Sequence, residues 1–120
     1  MTIQLSTTAA AYVRSINDRD PAAFNDLFAG GAVVNDVGRE FRGADAIRGW
    51  SDREIFDAHV TLEVIDAAER NSEIVLVSKV DGTFDRTGLP DPLILEHRLT
   101  INGDKIVALT CGLAAGSPHA

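Results

Sequence analysis

The spacing of apolar residues changes along this 120-residue chain, and that change decides what the chain can fold into. In the first half the apolar positions recur every three or four residues, which gathers them on one stripe of a helix. From His59 onward they recur every second residue, which gathers them on one face of a strand. Helices followed by strands make an α+β protein in which the helices share one face of a mostly antiparallel sheet.

Within that frame, Thr7 to Arg19 carries Ala9, Tyr12, Val13 and Ile16 at helical spacing and is the first expected helix. Asp20-Pro21 is a helix start, since the carboxylate accepts free backbone N–H groups and proline suits the first helical position. The second helix is expected through Phe24, Leu27 and Phe28 to the Gly30-Gly31 break. Ala32 to Val37 reads as a short strand, Gly38 as a turn and Arg39 to Arg42 as its hairpin partner. Ile47, Trp50 and Glu54 then fall on one face of a third helix from Ala44 to about Phe56. Four strands follow, at His59 to Ala67, Glu73 to Phe84, Leu93 to Ile101 and Lys105 to Leu113. Asn102-Gly103-Asp104 is a tight hairpin turn, and Asp85 to Pro92 a longer loop. Residues 1–120 are read as one domain with a loose tail from about Ala114.

Composition narrows the partners. A formal net charge of −7, with Lys and Arg scattered, opposes a polyphosphate backbone, so no nucleic acid is expected. No apolar run approaches the roughly 20 residues that span a bilayer, and Met1 to Leu5 lacks a signal-peptide pattern, so a cytoplasmic protein without a membrane partner is expected. The lone Cys111 lies in an apolar alternating segment and reads as a small buried thiol. His59, His97 and His119 are far apart and show no metal-ligand spacing, so no metal is expected.

Several short features occur in a telling order: Tyr12-Val13 followed by Asn17 and Asp20, Phe28 followed by small residues, Val34-Asn35-Asp36-Val37-Gly38, Gly43 before Ala46-Ile47-Arg48, and the late Asn102-Gly103 turn. With this order of elements, the chain resembles the nuclear transport factor 2-like superfamily, in its ketosteroid-isomerase-like and SnoaL-like polyketide cyclase branch. The resemblance implies a cone-shaped curved sheet wrapped over three helices and enclosing an apolar pocket. It also implies cofactor-free chemistry and homodimers formed through the convex sheet face, where His59, Thr61 and Glu63 are expected to point outward.

In the isomerase pattern an aspartate at the end of the first strand shuttles a proton, while a tyrosine of the first helix and an aspartic acid of a late strand donate hydrogen bonds to the oxygen that becomes an enolate. The resemblance maps the first two onto Asp36 and Tyr12. At the third position this sequence departs. Leu93, Leu95, His97, Leu99 and Ile101 share the apolar face of their strand, so His97 projects into the core, with Glu96 the acidic alternative if the register slips by one residue. Trp50, Phe28 and Leu95 are the expected apolar walls of the pocket.

Each polar residue also has a structural reading. Asp36 can close an Asx turn before Gly38, Tyr12 and His97 can be satisfied core residues, and Glu54 with Arg48, Arg53 and Asp57 reads as a solvated helix face. Two functions follow. One is acid–base catalysis, isomerase- or cyclase-like, on a hydrophobic carbonyl-containing metabolite; the other is non-catalytic binding of a lipophilic ligand or a dimeric scaffold.

Overall fold

The computed structural model describes residues 5–85 and 87–114, and the expected tail beyond Ala114 lies outside the described residues. Helix α1 (Thr7–Asn17) starts where the Ser6 hydroxyl accepts from the Ala9 N–H at 3.3 Å. Its apolar stripe buries Ala9, Tyr12 and Ile16. Helix α2 (Pro21–Asp26) is capped by Asp20, which accepts from the Ala23 N–H at 3.1 Å, with proline at the first helical position as expected.

Helix α2 ends earlier than its apolar spacing implied. Leu27 and Phe28 fit a helical stripe, but the Leu27 carbonyl accepts from the Ile106 N–H and Phe28 pairs with Ile106, so strand β1 runs Phe28–Asp36 and contains Gly30-Gly31. Strand β2 (Arg39–Arg42) returns antiparallel across the Val37-Gly38 turn. Both turn residues have positive φ, 52° at Val37 and 87° at Gly38. Glycine adopts this freely, whereas a β-branched valine there is strained by roughly 1–3 kcal/mol.

Helix α3 (Ala44–Ser51) continues into a wider π-helical turn over Asp52–Phe56. Its signature is a pair of bonds spanning five residues, Asp57 N–H to Asp52 and Val60 N–H to Ile55, both at 2.9 Å. Strands β3 (Thr61–Arg70), β4 (Glu73–Asp81), β5 (Ile94–Asn102) and β6 (Lys105–Leu113) then form an antiparallel meander.

The six strands make one sheet in the order β2-β1-β6-β5-β4-β3, with β1 and β6 parallel and every other pair antiparallel. Register shifts in β1, β3 and at the β5–β6 pair bend it, as an extra unpaired residue does. The sheet stays open: β2 and β3 are its two edges. Its inner face carries Val34, Leu109, Leu99, Ile74 and Leu76 against the helices, with Phe24 at the centre of a ring cluster of Tyr12, Phe28, Phe56 and Trp50 at centroid distances of 5.1–6.4 Å. No helix among the described residues is long and apolar enough to cross a membrane.

Candidate functional site

Strand pairing brings three polar residues into one row. Asp36 of β1 pairs with Cys111 of β6, and Cys111 pairs with His97 of β5, so the three side chains stand side by side on the inner face of the sheet. Helix α1 lays Tyr12 over that row, its ring edge-on to the His97 imidazole at 5.9 Å. Together with Trp50, Leu95, Glu54 and the apolar side chains of Ile16, Ile55, Val60 and Leu62, they line a cavity of about 100 Å³.

A larger hollow, about 540 Å³, lies between α2, the start of β1 and α3. It is lined by Pro21, Asn25, Asp26, Phe28, Arg48 and Asp52 among others, and none of its lining side chains is a buried titratable group. Volume alone would choose this hollow. Chemistry chooses the smaller cavity, where polar groups converge in an apolar setting.

Asp36 is held from two sides. Its Oδ2 accepts from Trp50 Nε1 at 3.0 Å and from Arg39 Nη2 at 2.5 Å. The same guanidinium forks onto Glu54, with Nη1 to Oε2 at 2.7 Å and Nη2 to Oε1 at 2.6 Å, the bidentate geometry that planar arginine favours. Arg39 also lies over the Phe41 ring, 5.6 Å from its centroid. The hydrogen bond to Arg39 holds the Glu54 carboxyl below the usual carboxylate range and raises the Arg39 guanidinium above its own. The Asx turn is made by a different residue: Asn35 Oδ1 accepts from the Gly38 N–H at 3.0 Å, which leaves the Asp36 carboxylate turned toward Trp50 and Arg39.

His97 is 6% exposed, and its Nδ1 has no hydrogen-bond partner. Burial pushes its pKa down to about 4 against a smaller upward pull from Asp36, so the ring is neutral at physiological pH. The Tyr12 hydroxyl is driven well above its ordinary value by burial, then by Cys111 and Asp36. Burial likewise raises the Cys111 thiol, with Asp36 adding to it. The cavity therefore offers a neutral imidazole, a protonated phenol and a protonated thiol beside two carboxylates.

Of the residues singled out from the sequence, Tyr12, Asp36, His97, Trp50 and Leu95 line this cavity, while Phe28 packs on Phe24 and lines the outer hollow. Glu96 points to the outer face and pairs with Arg98 at 2.9 Å. Sequence reasoning missed Glu54, Arg39 and the cavity position of Cys111. For Glu54 a signal existed, because it shares a helical face with Ile47 and Trp50. For Arg39 there was none. Among the described residues no group of three or more His, Cys, Asp or Glu side chains is placed to hold a metal ion.

A SnoaL-like domain model matches residues 9–109, which span every element described above except the ends of α1 and β6. The chain belongs to the SnoaL-like domain family. Solved structures place this SnoaL-like protein in the same fold. A Sinorhizobium meliloti protein provisionally described as a polyketide cyclase is 25% identical, with a TM-score of 0.80 over 90% of this chain and 95% of its own. A Catenulispora acidiphila protein with a ketosteroid isomerase-like fold, solved with trimethylamine, is 21% identical, with a TM-score of 0.76 over 95% and 90%. A Mycobacterium tuberculosis protein solved with estradiol-17beta-hemisuccinate is 14% identical, with a TM-score of 0.72 over 90% and 92%. No curated protein matches the chain.

Proposed function

We propose that this SnoaL-like protein binds a small, hydrophobic, carbonyl-containing metabolite in the Tyr12–Asp36–His97 cavity and moves a proton on it, as an isomerase or cyclase does. One observation carries the reading: His97, 6% exposed on an otherwise apolar strand face, has an Nδ1 without a partner, in the same cavity as a carboxylate and a phenol. A buried polar atom without a partner costs about 1–3 kcal/mol, a cost that a ligand's polar atom removes.

In this reading Asp36 takes the proton α to the carbonyl. Trp50 and Arg39 both bind its Oδ2, which leaves Oδ1 as the oxygen that faces substrate. Tyr12 donates to the substrate oxygen as negative charge develops there, and His97, neutral but protonated on one nitrogen, is the second donor. No cofactor takes part in this scheme. A ligand of this kind suits a cytoplasmic protein, and the outer face of the sheet, with Val75 and Val77, serves a homodimer. The resemblance to a protein solved with a steroid ester supports small-molecule binding, and the acidic balance of the chain opposes nucleic acid.

The test is deuterium exchange at the α-carbons of small cyclic ketones and enones in D₂O, followed by proton NMR. Catalysed exchange that Asp36→Asn lowers by 10²-fold or more, and Tyr12→Phe or His97→Gln by about 10-fold or more, is the expected result. Exchange at the uncatalysed rate in the unmodified protein, with ligand still bound, ends the catalytic reading. A second reading, binding without catalysis, is favoured by the Asp36–Arg39 ion pair, which already gives that carboxylate a structural partner.

A further inference from the structure

The cavity that gathers the polar groups is small. At about 100 Å³ it falls well below the roughly 300–1,000 Å³ of pockets for drug-sized ligands, and below the roughly 150 Å³ of an apolar cavity that benzene fills, so one ring is the upper limit. A four-ring skeleton is several times too large. The polar groups on the walls narrow the choice further. Asp36 and Glu54 are the carboxylates facing the space, and no Lys or Arg lines it, so an anionic ligand meets repulsion. The two carboxylates share the single Arg39 guanidinium, so the walls do not repel a cation. The His97 Nδ1 is unmatched and stands in the same lining as the Tyr12 hydroxyl, an arrangement that calls for one polar atom on an otherwise apolar molecule.

The size limit has an identifiable origin. Arg39 is not part of the lining, yet its guanidinium grips two residues that are: Asp36 at the end of β1 and Glu54 on the π-helical turn after α3. These walls come from different elements, and the clamp fixes the distance between them. Its side chains are 52% and 34% exposed for Arg39 and Glu54, so the clamp can be cut without opening the core.

Building on the pocket reading above, we propose that the cavity takes a molecule no larger than about one six-membered ring, not anionic and carrying a single carbonyl or phenol oxygen, and that the Arg39 clamp on Asp36 and Glu54 sets this limit.

The experiment uses the single tryptophan as reporter, because Trp50 lines the cavity and gives one indole N–H signal in a ¹⁵N-correlated NMR spectrum. Phenol, 2-naphthol and estradiol are titrated against the unmodified protein, Arg39→Ala and Glu54→Gln. In the unmodified protein phenol shifts the indole signal saturably, 2-naphthol binds at least about 10-fold more weakly and estradiol leaves the signal in place. In either variant the ratio of naphthol to phenol affinity rises about 10-fold or more, by widening the space between Asp36 and Glu54. Larger phenols that bind the unmodified protein as tightly as phenol does overturn the size limit and leave the pocket reading standing. A ratio unchanged in both variants, with phenol still bound, removes the clamp from the mechanism. No saturable shift with any probe in any of the three proteins overturns the pocket reading and this inference together.

Discussion

The imidazole of His97 is withdrawn from water against the Tyr12 ring and beside Cys111, and the consequence is a pH dependence with a definite sign. Its ordinary pKa of 6.5 applies to the unfolded chain, whereas burial lowers the folded value to about 4. Between those values the unfolded chain holds more protons than the folded one, so stability falls as pH drops through this window and is fully present above it. The unmodified protein is expected to lose on the order of 2 kcal/mol more than His97→Gln between pH 7 and pH 4.5, read from urea unfolding of both at the two pH values. Parallel curves would mean that His97 is hydrated in solution. Tyr12 and Cys111 are also buried, yet both stay protonated throughout this range, so neither contributes to the slope.

Among the elements, α1 and β3 pack through Ile16 and Leu62 in the common core and are clipped together by one polar side chain. Asn17 donates from Nδ2 to the Leu62 carbonyl at 3.0 Å and accepts at Oδ1 from the Leu62 N–H at 2.8 Å, filling both backbone groups that an edge strand would otherwise leave open. The clip also fixes Leu62, a wall of the cavity, relative to the helix that carries Tyr12. Asn17→Ala is expected to cost about 1–3 kcal/mol in chemical denaturation, with faster amide exchange at the start of β3. A loss within about 0.5 kcal/mol would show that water replaces both bonds. The Arg39 clamp acts differently. As an exposed ion pair it contributes at most about 1 kcal/mol, so its importance lies in position and not in stability.

For the molecule as a whole, the open sheet leaves an outer face that no helix among the described residues covers. On β4 the buried Ile74, Leu76, Ser78 and Val80 face inward, so Val75 and Val77 face outward, beside Arg98 of β5, which pairs with Glu73 of β4 and Glu96 of β5. An apolar strip edged by charge suits the homodimer proposed above. Sedimentation equilibrium is expected to give twice the 12.8 kDa chain mass, and Val77→Lys to return it to the monomer value with the circular dichroism spectrum unchanged. A monomer in the unmodified protein would remove the dimer from the reading while leaving the cavity, which is built within one chain, as it is.

How much of this was legible in the sequence depends on the range of the interactions involved. Local periodicity was enough to place Tyr12 on the buried stripe of α1, and Leu95, His97 and Leu99 on the inner face of β5, because the side-chain direction of a helix or strand repeats within a few residues. Cap chemistry likewise marked the starts of α1's successor at Asp20-Pro21 and of the hairpin at Gly38. Leu27-Phe28 suited a helix locally, yet the helix stops before them and Phe28 opens a strand, since the distant Ile106 of β6 bonds the Leu27 carbonyl and pairs with Phe28. The row Asp36–Cys111–His97 depends on the parallel pairing of β1 with β6, and the Arg39 clamp on a contact between a hairpin and a π-helical turn. The sequence by itself thus determined which side chains turn inward and which elements carry them. Only the tertiary structure decided which of them meet, because strand order and the closing of long loops are set by the packing of the entire sheet and not by any local pattern.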